Sequence, residues 1–181
     1  MSTFKRGLVS LAVAAALAAG AAHAQISDNV VRIGVMNDQA GTYADLAGPG
    51  SVVAAKMAIE DFRAAAKGMK VEVLVGDHQN KADVGSNIAR QWYDVDKVDV
   101  IVDVPTSSVV LAVNEITKQK GKALIVSTGA TSDLTGKACN ANAIHWTYDT
   151  WMLANGTGSA IVKTGGDSWF FITDDYAFGH S

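Results

Sequence analysis

Two clusters of hydroxyl residues have the types and spacing that could support chemistry. Thr106, Ser107 and Ser108 follow one apolar run, and the loop from Ser127 to Ser132 follows the next. Hydroxyls at such positions can cap a helix, act as nucleophiles or donate hydrogen bonds to a ligand. Because one hydroxyl is enough for a cap, the run of three predicts ligand contacts in addition to capping.

The motifs of several enzyme classes are absent from the sequence. A serine hydrolase needs Gly-x-Ser-x-Gly, and neither Ser107 nor Ser108 has a glycine two residues away. The stretch Gly48-Pro49-Gly50 is not followed by the Lys-Ser/Thr of a phosphate-binding loop, so it is better interpreted as a turn. We therefore predict no catalytic residue and no cofactor. We also predict no metal, because the potential metal ligands lack the spacing of known metal sites; they are Asp77, His78, Cys139, His145 and Asp149.

Aromatic residues lie near the ends of several apolar runs. They are Tyr43, Trp146, Tyr148, Tyr176 and Phe178. Any one of them is more often a packing residue than a ligand contact. Several together at one edge of a sheet predict an apolar wall, and we expect at least one ring to stack on a ligand.

Strand and helix patterns alternate along the chain, and these elements must position the candidate residues. The first predicted helix starts at Ser51 and ends at Gly68, and the second starts after a cap at Asp83. The third and fourth span Ser108–Lys120 and Trp151–Lys163, and Asp149 or Thr150 caps the fourth. The predicted strands are short apolar runs: Val30–Met36, Val71–Gly76, Val98–Val104, Ala123–Val126, Ala143–Thr147 and Ser168–Thr173. This alternation predicts an α/β fold with an open, doubly wound parallel sheet, whose ligands bind beyond the carboxyl ends of the strands.

Residues 1–24 have the features of a secretory signal peptide. Lys5 and Arg6 precede an apolar stretch, and Ala22-His23-Ala24 fits a cleavage site after Ala24. A membrane anchor would need about 20 continuous apolar residues, so we expect no membrane insertion after cleavage. The chain has a net charge of −3, which argues against a nucleic-acid partner. Cys139 is the only cysteine, which predicts a free thiol or a partner outside this sequence.

Taken in order, several motifs resemble one known family. They are Ala40-Gly41-Thr42-Tyr43-Ala44-Asp45, Gly48-Pro49-Gly50, Asp77-His78-Gln79, Pro105-Thr106-Ser107-Ser108, the run from Ser127 to Gly136, and Asp174-Asp175-Tyr176-Ala177-Phe178-Gly179. With the signal peptide, they resemble the branched-chain amino-acid-type periplasmic binding proteins. These are solute receptors of ABC importers with the type I two-lobe fold. The resemblance covers essentially the whole chain after the signal peptide and implies a periplasmic location.

The resemblance implies roles for six residues. In this family a hydroxyl after the third strand and another after the fourth hold the ligand's carboxylate, helped by backbone N–H groups. The first position matches Thr106 or Ser107, and the second matches Gly129 with Thr131. Tyr43 would line the side-chain pocket, and Phe178 would cover the ligand when the lobes close. The predicted ligand-binding residues are Tyr43, Thr106, Ser107, Ser108, Gly129, Ala130, Thr131, Tyr148, Tyr176 and Phe178.

The resemblance also implies a division of the chain. Residues 1–24 form the signal peptide, 25–147 the first lobe, and 148–181 a crossing helix and the first strand of an incomplete second lobe. Family members are roughly twice as long, so we expect a fragment. The implied protein is a monomer that captures a small carboxylate and delivers it to a membrane permease. Whether the ligand is an amino acid or an aromatic acid stays open, and a sensing module or a secreted hydrolase are the alternatives.

Overall fold

Five parallel strands form a sheet in residues 27–181, which are the residues that the computed structural model describes. The predicted signal peptide and its cleavage site lie outside the described residues. The strands are β1 (Val30–Asn37), β2 (Lys70–Asp77), β3 (Val100–Asp103), β4 (Ala123–Val126) and β5 (Ala143–His145). Their order in the sheet is β2-β1-β3-β4-β5. The parallel sheet confirms the predicted α/β class.

The register aligns the carboxyl ends of the three strands β2, β1 and β3. Asn37 at the end of β1 lies opposite Asp77 of β2, and Met36 lies opposite Asp103 of β3. The chain adds β2 on one side of β1 and all later strands on the other. The strand order therefore reverses between β1 and β3, which is where open α/β sheets have their ligand crevice.

Five α-helices connect or follow the strands within the described residues. They are α1 (Ala44–Ala47), α2 (Pro49–Phe62), α3 (Ala82–Asp94), α4 (Ser107–Lys120) and α5 (Thr150–Lys163). Short 3₁₀ turns occur at Ser27–Asn29, Ala65–Lys67 and Ser132–Leu134. Among residues 27–181, no helix has both the length and the apolar composition that crossing a membrane requires.

The main core lies between the sheet and helices α3 and α4. Trp92 of α3 packs flat across β1 and β2, where a Cβ on Gly34 or Gly76 would come within 2.4 or 2.8 Å of its ring. Glycine at both positions is what lets the indole reach the strand backbones. Buried apolar side chains complete this core: Met36, Ala89, Tyr93, Val98, Ile101, Val104, Val109, Val110, Val113, Ile116, Leu124, Val126 and Leu134.

The opposite face of the sheet is covered less completely. A groove between α2 and the sheet is lined by apolar side chains that include Ile59, Phe62 and Ile33. Farther along this face, Ile125 and Ile144 are 36% and 53% exposed. Helices on both faces confirm the doubly wound arrangement, and the exposed isoleucines mark where this face remains open to solvent.

The predicted strand Ser168–Thr173 is wrong. These residues form no ladder, and Phe170, Phe171 and Ile172 are exposed. A strand is defined by hydrogen bonds to a neighbour, and no strand within residues 27–181 pairs with this segment. Its apolar composition alone was therefore not sufficient to form a strand.

Two predicted helix boundaries also need correction. Helix α2 ends at Phe62, since Arg63 adopts a left-handed conformation with φ 54°. Gly68, the predicted end, instead ends the 3₁₀ turn that follows α2. Asp83 does not cap α3, because Lys81 occupies the cap position and Asp83 lies in the first turn. Asp149 caps α5 by accepting a hydrogen bond from the N–H of Met152, as one of the two predicted alternatives required.

Candidate functional site

Asp103 links three strand ends at the point where the strand order reverses. The amide of Asn37, the last residue of β1, donates to the Asp103 carboxylate at 3.1 Å. The hydroxyls of Ser127 and Thr128 donate to the same carboxylate at 2.9 and 2.6 Å. One buried carboxylate at the end of β3 therefore fixes the end of β1 and the loop after β4.

A second buried carboxylate, Asp38, holds the loop after β1. It accepts hydrogen bonds from the N–H groups of Gly41 and Tyr43 at 2.9 and 2.8 Å, and from the side-chain amide of Asn80 at 2.6 Å. Burial raises the pKa of this carboxyl, but the bonds from Tyr43, Asn80 and Gly41 and the proximity of His78 outweigh burial. The net pKa lies below its ordinary value, so Asp38 is an anion at neutral pH.

His78 fixes the loop after β2, which carries Asn80. Its Nδ1 accepts a hydrogen bond from the N–H of Asn80 at 3.0 Å, so the ring proton lies on Nε2. Burial lowers the pKa of His78, and the carboxylates of Asp38, Asp77 and Asp103 oppose this only in part. The imidazole is therefore neutral at pH 7 and acts as an acceptor toward the backbone.

The first hydroxyl cluster contains one bound and one unpartnered side chain. Thr106 occupies the cap position of α4 but makes no side-chain cap, and its hydroxyl donates to the Asn80 amide oxygen at 2.5 Å. The Ser107 hydroxyl is buried and has no hydrogen-bond partner within residues 27–181. Ser108 is half-buried. The proton of Thr106 is thus committed, whereas that of Ser107 is available.

The second hydroxyl cluster is the loop after β4, and its middle is buried. Gly129, Ala130 and Thr131 are all buried, and the Thr131 hydroxyl accepts a hydrogen bond from the N–H of Asp133 at 3.3 Å. The carbonyls of Gly129 and Ala130 bond to His145 Nε2 at 2.7 Å and to the N–H of Thr150 at 2.8 Å. Both carbonyls are therefore engaged. The Thr131 hydroxyl acts as an acceptor in its bond with Asp133, which leaves the hydroxyl proton free to donate.

The predicted aromatic residues meet the tail of the described chain. The hydroxyls of Tyr43 and Tyr176 lie 2.8 Å apart, and the rings of Tyr176 and Phe178 stack with centroids 6.1 Å apart. Burial raises the pKa of Tyr176, and the bond to Tyr43 and the nearby groups Asp174 and Tyr148 raise it further. Trp146, by contrast, is 77% exposed.

The tail also contacts the second hydroxyl cluster. The Ser181 hydroxyl donates to the Thr150 hydroxyl at 3.1 Å, and Thr150 donates to Ser132 at 3.1 Å. Residues 174–181 therefore span from the β1 loop to the β4 loop. The structure brings Tyr43, Tyr176 and Phe178 into one contacting group. The second hydroxyl cluster bonds to Asp103, which precedes the first cluster in the chain.

Sequence reasoning did not find the polar side chains that organise this edge. These are the buried side chains of Asn37, Asp38 and Asp103 and the half-buried side chain of Asn80. A usable signal was present, because β1, β2 and β3 each end in Asn or Asp. In residues 27–181 no group of three or more His, Cys, Asp or Glu side chains could hold a metal ion.

The profile of one protein family, described as periplasmic binding protein, matches residues 30–181. The chain belongs to this family. Similar solved structures include a periplasmic binding protein from Burkholderia mallei, with 43% identity, 84% of this chain and 40% of that chain covered, and a TM-score of 0.81. A second is a branched-chain amino acid ABC transporter periplasmic ligand-binding protein from Burkholderia xenovorans LB400. It is 37% identical, the match covers 83% of this chain and 40% of that chain, and the TM-score is 0.73.

A more distant relative shares the fold. It is a solute-binding protein of an ABC transporter from Rhodopseudomonas palustris BisB5, in complex with 3,4-dihydroxybenzoic acid, with 22% identity, 84% and 41% covered, and a TM-score of 0.74. The chain thus spans about 40% of the length of these structures. No curated protein matches it. The family comprises substrate-binding proteins of ABC transporters and not enzymes, which agrees with the resemblance found in the sequence.

Proposed function

We propose that the chain is the first lobe and the start of the second lobe of a periplasmic solute-binding protein that captures a small carboxylate for an ABC permease. In this proposal residues 25–147 form the lobe, residues 148–181 begin the second, and the signal peptide is cleaved after Ala24. The protein acts as a monomer and has no catalytic role. The observation that carries the proposal is the buried hydroxyl of Ser107 at the crevice between β1 and β3, which has no hydrogen-bond partner in the described part of the chain.

The donors at this crevice suit a carboxylate. Ser107 begins α4, a helix of 14 residues whose first N–H groups have no partners within the helix and carry partial positive charge. The Thr131 hydroxyl and the backbone of Gly129 and Ala130 supply neutral donors from the neighbouring loop. Tyr43, Tyr148, Tyr176 and Phe178 form the apolar wall. Ser108, the second residue of α4, is a further hydroxyl donor in this proposal.

Two ligand classes share the chemistry that this crevice recognises. The Burkholderia xenovorans relative is named for branched-chain amino acids, and the Rhodopseudomonas palustris relative holds a dihydroxybenzoic acid. Both ligands carry a carboxylate beside an apolar group. In this proposal the neutral donors hold the carboxylate of either ligand, and the apolar group of the ligand lies against the tyrosines.

A thermal-shift screen tests the proposal on the full-length protein that carries this sequence. The probes are L-leucine, L-phenylalanine, benzoate and 3,4-dihydroxybenzoate, with glucose as a neutral control. A ligand that binds only the folded state at 100 times its Kd adds about 2.7 kcal/mol to the free energy of unfolding. We expect one class of carboxylate to raise the melting temperature. A shift with glucose and none with any carboxylate would contradict the proposal.

Two substitutions test the donors directly by titration calorimetry. Ser107→Ala and Thr131→Val each remove a hydroxyl that would donate to a carboxylate, a bond worth about 1.5–3 kcal/mol, so affinity should fall about ten- to hundredfold. Thr117→Val is the matched control, because the Thr117 hydroxyl is buried in α4 and bonds to Val113 and Tyr93, away from the crevice. Unchanged affinity in both test variants would remove the proposed carboxylate site.

A further inference from the structure

Asp38 connects the loops that follow three adjacent strands. It is 1% exposed and stands directly after β1. Its bonds to the N–H groups of Gly41 and Tyr43 fold the β1 loop, and its bond to the Asn80 amide reaches the β2 loop. Asn80 in turn receives the hydroxyl of Thr106, which precedes α4 after β3.

Asn80 is held rigidly between these partners. Its backbone is left-handed, with φ 56°, directly after Gln79 with φ 53°. Two successive residues of this kind are unfavourable without glycine and persist only where their surroundings fix them. The neutral ring of His78 accepts the Asn80 N–H, and Asp77 accepts the N–H of Gln79 at 2.9 Å. These bonds fix the Asn80 backbone, and the bonds to Asp38 and Thr106 hold its side chain.

The ionised carboxylate sets the direction of the whole hydrogen-bond chain. A carboxylate only accepts, so Asn80 must turn its NH₂ toward Asp38 and its oxygen toward Thr106. Thr106 must then donate to that oxygen, which consumes its only proton. Of the two neighbouring buried hydroxyls, only Ser107 keeps a proton for a ligand at the start of α4.

We propose that Asp38 is a positioning residue of the carboxylate site, which acts through Asn80 and Thr106 to make Ser107 the hydroxyl donor. The inference rests on the proposed function. Asp38 does not touch the ligand. It fixes the direction of the hydrogen-bond chain from Thr106 through Asn80, and it holds the loop that carries Tyr43.

The first experiment measures affinity for L-leucine and benzoate by titration calorimetry in the full-length protein. Asp38→Asn removes the obligatory acceptor, lets the Asn80 amide turn over and loosens the Tyr43 loop. We expect at least a tenfold loss of affinity for whichever probe binds the wild type. The control is Asp99→Asn. Asp99 directly precedes β3 at the amino ends of the strands, away from the crevice, and accepts the N–H of Arg32 at 2.8 Å. The control should lower the melting temperature and leave affinity within twofold.

A second variant gives a readout that a merely structural role would not produce. Asn80→Asp sets two carboxylates side by side, so affinity should be at least tenfold weaker at pH 8. As the pH falls to 5.5, the pair binds one shared proton, which restores a donor toward Asp38, and affinity should recover. The charged or titratable groups around this pair are His78, Asp77 and Asp103. Wild-type affinity should change less than twofold over this range, because both probes remain ionised.

The outcomes separate this inference from the proposed function. If neither probe nor any other carboxylate binds the wild type, the proposed function fails. If the wild type binds while Asp38→Asn keeps its affinity within twofold, the inference is overturned and the function stands. An affinity of Asn80→Asp that is normal at pH 8, or weak and independent of pH, also overturns it. This second variant provides the test should Asp38→Asn not fold.

Discussion

Replacing Gly129 with alanine would add a methyl group where the loop after β4 packs against the core. A Cβ at this position would lie 2.8 Å from the carbonyl oxygen of Val104, 2.9 Å from Val126 Cγ1 and 3.0 Å from Val110 Cγ1. Ordinary contacts begin near 3.4 Å, so the loop must move by about half an ångström. All three valines are fully buried and cannot move aside freely. Overpacking of this kind costs about 1–3 kcal/mol.

The substitution should therefore lower both stability and affinity. For a domain of 150–250 residues, this cost lowers the melting temperature by about 2–12 °C. Because Ala130 and Thr131 move with Gly129, binding of the carboxylate should weaken as well. Calorimetry of unfolding and of binding measures the two effects. Gly50→Ala in α2 is the matched control: a Cβ there meets nothing within 4 Å, so stability should be unchanged or higher. A Gly129→Ala protein that melts within 1 °C of the wild type would refute the packing argument.

Three further variants test contacts away from the ligand. Tyr93→Phe removes the bond to the Thr117 hydroxyl and should lower the free energy of unfolding by about 0.5–1.5 kcal/mol in urea titrations; no change would show that this bond adds nothing. Asp149→Ala removes the α5 cap on the N–H of Met152 and should cost about 1 kcal/mol by thermal melting, whereas Asp149→Ser should retain most of it. The folded-state pKa of Asp38 lies below its ordinary value of 3.8, so its ionisation stabilises the fold above that pH and the contribution is lost on acidification below it. The stability gap between wild type and Asp38→Asn should accordingly narrow from pH 6 to pH 2.5, and a constant gap would contradict this.

The fold could be predicted where the signal is local and repeated. Strand β4 occupies Ala123–Val126 as predicted, and β1 and β2 differ from prediction by at most one residue at each end. Their apolar, β-branched runs are unusual enough to identify buried parallel strands without knowledge of their neighbours. The third strand is Val100–Asp103, whereas Val98–Val104 was predicted. At its carboxyl end the backbone leaves the extended conformation, since Asp103 and Val104 have φ values of 84° and 56°. Asp adopts a left-handed backbone more often than most residues do, but the β-branched Val104 gives no such signal.

The segment Ser168–Thr173 shows the limit of the same signal. Its residues Trp169, Phe170, Phe171 and Ile172 favour strands, yet the described chain pairs them with no strand. Pairing depends on where another strand lies in space, which residue types within the segment do not determine. The prediction of a strand there was therefore an inference about a partner as well as about the segment.

The sheet edge at which the candidate loops meet could be predicted, but the residues that organise this edge could not. Parallel strands bring their carboxyl ends to one edge, so the loops carrying Thr106 and Thr131 were expected there from their order in the chain. The bonds of Asp38 and Asp103 depend on which strands are neighbours. The order β2-β1-β3 brings Asn80, Asp38 and Thr106 together, although 26 residues separate Thr106 from Asn80.

Burial explains why these polar residues had to find one another. A carboxylate taken out of water is unfavourable by several kcal/mol unless hydrogen bonds replace its hydration. Asp38 and Asp103 each receive three such bonds, and every donor comes from a strand end or from the loop that follows one. An acidic or amide residue that ends an apolar strand is thus a sign of a partner on the adjacent strand. Applied to β1 and β3, this rule leads from the pattern of strand ends to the residues that hold the crevice in shape.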